Sequence, residues 1–199
     1  AARWRGRMLM EWGPLPGSFG WVFPKGDTCT AGVVAARGQG LPADFLRRHG
    51  MADRTPLHDT GHLTRCRRPD PPLTRGRTVV AGDAAGLCDP WSREGISFAL
   101  RSGALAGEAA VGLARAQHPE DLERARLGYT GAVRSVLEAD MLASRQVMNL
   151  FTRRPGVLHT ALTAVPPVWR RVDSYLGGGT TIPALLDTPV ARAAIKLFS

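Results

Sequence analysis

The sequence predicts a mixed α/β chain, an α+β arrangement in which antiparallel strands come first and long helices follow. Three observations carry that prediction. The region from Arg7 to Ala36 is a series of short apolar runs broken by glycine and proline turns. One later run, "RTVVAGD", is short and almost wholly apolar, and beyond Gly95 alanine and leucine recur at helical spacing over two long stretches. With 199 residues, 44% of them hydrophobic, the chain has enough apolar material for a buried core.

Taken in order, "RMLMEWG", "SFGWVFP", the turn "KGD" and "TCTAGVVAA" read as an antiparallel meander. "LPADFLRRHG" suits a short helix, with Pro42 in its first turn and Gly50 as its stop. "LHDTGHLTRC" is expected to form another pair of strands, and the proline-rich "RRPDPPLTRG" to cross between domains. "RTVVAGD" has the character of a strand buried on both faces of a parallel sheet. A helix is expected from Gly95 to Ala116 and a second from about Pro119 to Phe151, where Pro119, Glu120 and Asp121 are favourable first-turn residues. Short helical pieces follow: "VLHTALTAV", "PVWRRVDSYL", "IPALL" and "PVARAAIKLF".

Lysine and arginine number 26 against 17 acidic residues, a formal net charge of +9. A solvated basic surface is the first reading of that excess, and attraction to anionic lipid head groups or a phosphorylated ligand the second. Nucleic acid is not an expected partner, because no motif interleaves aromatic and basic residues. Cys29, Cys66 and Cys88 lie far apart and none belongs to a C-x-x-C pair, so neither a zinc site nor a disulfide framework is expected, and the compartment is expected to be reducing. His58 and His62 are four apart, but Thr60 and Gly61 between them disfavour a helical metal pair. No run approaches the ~20 apolar residues of a membrane helix, and "AARWRGRMLMEWG" has no signal-peptide core. The expectation is a cytoplasmic protein, with peripheral contact at a membrane as its closest approach to lipid. The chain opens without methionine, in what reads as the approach to a strand, so an upstream segment is expected.

The chemistry concentrates in "VVAGDAAGLCDPWSREGISFAL", Val79 to Leu100. A strand ending at Gly82 places the Asp83 carboxylate at a sheet edge, where open α/β folds bind ligands. Ala84, Ala85 and Gly86 leave room for a ligand against the backbone, Pro90 stiffens the loop, and Gly95 turns the chain into a helix beginning near Ile96. The first N–H groups of that helix lack internal partners and carry about half a positive charge, so they favour an anionic or carbonyl group.

"GDAAGLCDPWSREGISFALRSGALAGEAA" resembles the second flavin-binding motif of the FAD-dependent oxidoreductases related to para-hydroxybenzoate hydroxylase. The resemblance implies a partial flavoprotein fold of that type, with FAD as cofactor. Gly82 and Ala84 would border the flavin, and Asp83 would accept a hydrogen bond from a ribityl hydroxyl. Pro90 would lie beside the isoalloxazine ring, and the amides of Gly95, Ile96 and Ser97 would face its pyrimidine end. "FGWVFPKGDTCTAG" resembles the aromatic-x-Trp-x-Phe-Pro motif of the geranylgeranyl reductase family, carried here by Phe19, Trp21, Phe23 and Pro24. On a strand, residues 19, 21 and 23 share one face, so the resemblance implies an aromatic wall for an isoprenoid; sheet core is the alternative. Phe19 stands where that family usually has tyrosine, Val34 replaces its second glycine, and Arg93 occupies a position usually small.

The domains implied are 1–70 as strands of a substrate domain, 71–152 as the carboxyl-terminal part of an FAD-binding domain, and 153–199 as a helical tail. The resemblance implies a reductase of carbon–carbon double bonds in a polyprenyl lipid, with NADPH or a redox protein as electron donor. A flavin-dependent aromatic monooxygenase or halogenase is the second reading, and a non-catalytic lipid-binding remnant the third. Such enzymes hold the ADP half of FAD on a G-x-G-x-x-G turn, which is missing here; "GQGLPA" from Gly38 reads as a loop. The chain is therefore expected to be the carboxyl-terminal portion of a flavoprotein, inactive and weak in FAD binding by itself. No catalytic residue or proton donor can be named. Trp91 in the loop reads as packing or as a stacking partner. Val133, Leu137, Met141, Met148 and Phe151 form a helical apolar stripe, read as core before lipid tunnel, and "TPVARAAIKLF" as a helix docked on the protein before one on a membrane.

Overall fold

The computed structural model describes residues 2–12, 15–35, 41–66, 71–189, 191, 192 and 196. The chain divides into two compact units, one of Ala1–Gly61 with Leu150–Ala161, the other of His62–Asn149 with Leu162–Ser199. Helices and small antiparallel sheets make the chain a mixed α/β protein.

The first unit contains the expected meander: β1 (Leu9–Trp12), β2 (Phe19–Lys25) and β3 (Thr28–Val34), antiparallel in the order β1-β2-β3. Strand alternation gives β2 two unlike faces. Gly20 and Val22 point to one, where Val22 is fully buried and a Cβ on Gly20 would lie 2.5 Å from the Phe45 ring. Phe45 is on helix α1 (Leu41–Arg48), whose carboxyl end is followed by Gly50 at φ +65°. Glu11 of β1, the cross-strand partner of Gly20, accepts from Arg48 at 2.6 Å and pairs with His49 at 2.5 Å, holding α1 across the sheet. Phe19, Trp21 and Phe23 point to the other face.

In the second unit, β4 (Thr74–Arg75) and β5 (Thr78–Val79) form a small hairpin about Gly76, at φ +56°. This corrects the expectation of a doubly buried parallel strand at "RTVVAGD". The apolar run is instead buried by helices: Val79 and Val80 pack against a cluster of Leu73, Leu87, Phe98, Tyr129, Val133, Leu137 and Met141. The segment 57–66, expected to be a strand pair, is irregular and largely exposed, since its polar side chains offer no apolar face to bury.

Helix α2 (Ile96–Arg115) packs on α3 (Pro119–Val133) at small residues, where a Cβ on Gly112 would come within 3.3 Å of Ala125 Cβ. The Arg77 guanidinium donates to the carbonyls of Leu113 and Ala116, placing a cation at the negative end of α2. The helix expected to run to Phe151 does continue, through a π turn at Arg134–Glu138, into α4 (Ala139–Arg153). At that turn Arg101 of α2 donates to the Val136 carbonyl at 2.7 Å and pairs with Asp140 at 3.0 Å. Val133, Leu137, Met141 and Phe151 of the predicted stripe are buried, as core residues are, and Met148 is half-buried.

Helices α5 (Pro155–Ala164), α6 (Pro166–Leu176) and α7 (Ile182–Leu186) match the expected short pieces. Most of the last predicted helix, and Gly38 to Gly40 of "GQGLPA", lie outside the described residues. Among the described residues, no helix is long and apolar enough to cross a membrane.

Candidate functional site

An open cleft of about 560 Å³ in the second unit is walled by His62, Thr64, Gly82, Asp83, Arg93, Gly95 and Ile96, with Ala81, Cys88 and Ala99. Its floor follows from one backbone feature. After β5 the chain enters a tight turn, Gly82–Ala85, with Gly82 at φ +53° and Gly86 at φ +69°, values that glycine reaches without the penalty other residues carry. The Gly82 N–H donates to Ser102 Oγ at 2.9 Å, and the fully buried Ser102 hydroxyl donates in turn to the Phe98 carbonyl at 2.6 Å, fastening the turn to α2. A Cβ on Gly82 would sit 3.1 Å from Ala99 Cβ, and one on Gly95 would sit 3.2 Å from Asp83 Oδ1. Two glycines therefore flank Asp83 where the backbone comes closest to the cleft.

The loop from Asp89 to Glu94 is organised by the Asp89 carboxylate, which is 1% exposed. Its Oδ1 accepts from the Trp91 amide at 3.0 Å, the Ser92 amide at 2.6 Å and the Ser92 hydroxyl at 2.9 Å. Trp91, half-buried, packs against Ala143, Val147 and Ile182. Arg93 is the non-glycine residue with positive φ, at 61°, among those described.

Of the flavin-contacting residues implied by the sequence, Gly82, Asp83, Gly95 and Ile96 line this cleft together. Ala84 and Ser97 are exposed beside it, and the Ser97 amide donates to Glu94 Oε1 at 2.7 Å. Pro90 is buried and is not one of its walls. Phe19, Trp21, Phe23 and Pro24 lie in the first unit. Their rings form a row, with centroids 5.9 Å apart for Phe19 and Trp21 and 6.1 Å for Trp21 and Phe23. The Trp21 indole covers Gly32, its cross-strand partner, so closely that a Cβ there would overlap it. Phe19 is buried, while Trp21, Phe23 and Pro24 are half-buried.

Two further features have no signature in the sequence. His62 Nε2 lies 2.9 Å from Asp83 Oδ2, which leaves Oδ1 without a hydrogen bond among the described residues. Cys66 and Cys88, far apart in sequence, both bring their sulfurs to the Asp89 carbonyl oxygen, at 4.0 and 3.9 Å, and Arg93 Nη1 donates to Cys66 Sγ at 2.6 Å. The nearby Cys88 thiol holds the Cys66 thiol down to about 6 against the opposing effect of burial, with the Arg93 charge adding to it. Cys88 is pushed up by the nearby Cys66 and by burial. Among the described residues, no cluster of histidine, cysteine and acidic side chains could hold a metal ion.

No family model matches the chain, and no solved structure matches it. Curated proteins do. Geranylgeranyl diphosphate reductase of Rhodobacter capsulatus is 35% identical over 125 residues, covering 57% of this chain and 30% of the relative. Digeranylgeranylglycerophospholipid reductase of Methanocella arvoryzae is 30% identical over 146 residues, 69% of this chain and 36% of the relative. The chloroplastic geranylgeranyl diphosphate reductase of Arabidopsis thaliana is 32% identical over 105 residues, 48% and 22% respectively. The chain thus spans about a third or less of the length of these relatives. Over 48% to 69% of its own length, it is similar to reductases of geranylgeranyl compounds from a bacterium, an archaeon and a plant.

Proposed function

We propose that this chain supplies the flavin-side wall and part of the substrate wall of an FAD-dependent reductase acting on carbon–carbon double bonds of a geranylgeranyl or related polyprenyl lipid. In this reading residues 1–70 belong to the substrate side and 71–152 to the flavin side. The observation that carries it is the cradle around Asp83, where a Cβ on Gly82 or Gly95 would crowd its neighbour at 3.1–3.2 Å and Asp83 Oδ1 has no hydrogen bond among the described residues. The similarity to geranylgeranyl reductases supports the same reading.

The residues present fit FAD. Asp83 would accept from a ribityl hydroxyl, and the start of the 20-residue helix α2 favours the electron-rich end of the ring system. FAD, once bound and reduced, would supply hydride to one carbon of the alkene, with a proton to the neighbouring carbon completing the saturation. The protein's part is to orient and enclose: Ser102 and Asp89 fix the backbone of the cleft, and Trp21 and Phe23 offer a flat apolar face to an isoprenoid. The electron donor in this reading is NADPH or a redox protein.

The test is Asp83→Ala in the intact protein. Loss of one hydrogen bond to a charged acceptor, about 1.5–3 kcal/mol, should weaken flavin binding roughly 10- to 150-fold with the circular dichroism spectrum unchanged. Unchanged flavin content would remove Asp83 from the site. Failure of the flavin-loaded, reduced protein to saturate any geranylgeranyl compound would remove the proposed reaction.

A further inference from the structure

The flavin reading leaves Cys66, Cys88 and Arg93 unused, and their geometry is specific. Both sulfurs approach one acceptor, the Asp89 carbonyl oxygen, Cys66 Sγ at 4.0 Å and Cys88 Sγ at 3.9 Å. Cys66 is half-buried, and Cys88 is 1% exposed at the cleft wall. Arg93 holds a left-handed backbone conformation that an L residue with a side chain disfavours, and its buried Nε has no hydrogen-bond partner among the described residues. A permanently charged guanidinium in that setting calls for an anion, and the group it touches is the Cys66 sulfur at 2.6 Å. A thiolate on Cys66 satisfies Arg93, while the Cys88 thiol donates to the Asp89 carbonyl that both sulfurs approach.

We propose that Cys66 and Cys88 form a peroxide-oxidisable dithiol beside the cleft, with Cys66 as the attacking thiolate and Cys88 as the resolving thiol. The first step forms a bond from Cys66 sulfur to one oxygen of hydrogen peroxide and breaks the O–O bond. Hydroxide leaves with the electron pair and takes a proton to become water, and Cys66 becomes a sulfenic acid. The second step forms the bond from Cys88 sulfur to Cys66 sulfur and breaks the S–O bond. The departing hydroxide takes the Cys88 proton as a second water. The two cysteines lose two electrons in all, and the peroxide gains them.

The surrounding charges decide which cysteine attacks. The nearby Cys88 thiol and Arg93 favour the Cys66 thiolate, which burial and the Asp89 carboxylate oppose; the nearby Cys66, then burial, and then the Asp83 charge keep Cys88 a thiol. The disulfide would tie the irregular segment bearing His62 and Thr64 to the loop bearing Arg93, fixing two walls of the cleft to each other.

The test uses the intact protein and needs no assay of its activity. Alkylation of Cys66 by iodoacetamide, followed by mass spectrometry against pH, should be half-maximal near pH 6. Arg93→Gly suits the positive φ and removes the cation, so the midpoint should rise by about one pH unit or more. Equimolar hydrogen peroxide should yield a linked Cys66–Cys88 peptide in the native protein. In Cys88→Ser it should yield a Cys66 sulfenic acid trapped by dimedone. A midpoint near that of an ordinary thiol, about 8.5, or no linked peptide from the native protein, overturns the proposal. The peptide measurement stands even where a variant fails to fold.

Discussion

At the scale of single residues, the site is governed by atoms that are missing. Gly82 combines φ +53° with a 3.1 Å approach of its absent Cβ to Ala99, whereas Gly61 faces open space at an ordinary φ. Gly82→Ala should therefore lower stability by about 1–2 kcal/mol in urea titration and weaken flavin binding, because the turn carries Asp83. Gly61→Ala should change stability by no more than about 0.5 kcal/mol. Equal losses for the two would mean that the turn has other means of relaxing. Gly82, Asp83 and Gly95 could be read from sequence because strand, turn and helix start are contiguous there. His62 and Cys66 could not: each reaches its partner across an irregular segment, and no periodicity links Cys66 to Cys88 or His62 to Asp83.

At the scale of elements, burial was readable and pairing was not. The apolar run at Val79 and Val80 correctly signalled a core position, but the same hydrophobicity serves a strand between strands or one against helices, and here helices cover it. The π turn at Arg134–Glu138 had no signal either, because helical spacing persists on both sides of it. The link between turn and helix is a single side chain. Ser102→Ala would leave the buried Gly82 N–H without an acceptor and should cost about 1–3 kcal/mol, measured by the unfolding midpoint. An unchanged midpoint would show that the turn is held by the Leu87 to Gly82 backbone bond at 3.0 Å. In the first unit, β1 and α1 are joined through Glu11. Burial opposes its ionisation, but the His49 and Arg48 hydrogen bonds and charges outweigh this and hold its carboxyl below the ordinary 4.5. A depressed folded-state value stabilises the fold above the unfolded value and ceases to do so as pH falls through the folded one. The native protein should lose stability on acidification below about pH 4.5, and Glu11→Gln should flatten that part of the profile.

At the scale of the whole molecule, affinity for the cofactor should divide by its chemical parts. The flavin end would meet Asp83 and the start of α2, groups that recognise a ribityl hydroxyl and a ring carbonyl. The pyrophosphate and adenosine need a different device, of which a glycine-rich turn at a helix start is the familiar form, and this sequence contains no G-x-G-x-x-G. A ligand whose ADP half goes unrecognised gains nothing from carrying it. The 199-residue chain by itself should therefore bind FAD and riboflavin with similar affinities, both weaker than about micromolar, in a fluorescence-quenching titration. Its excess of nine positive charges supplies a general attraction for the phosphates, so the comparison belongs at salt high enough to screen it. FAD binding at micromolar concentration, with riboflavin far weaker, would mean that these 199 residues contain a phosphate site of their own, and the division of the cofactor proposed here would be wrong.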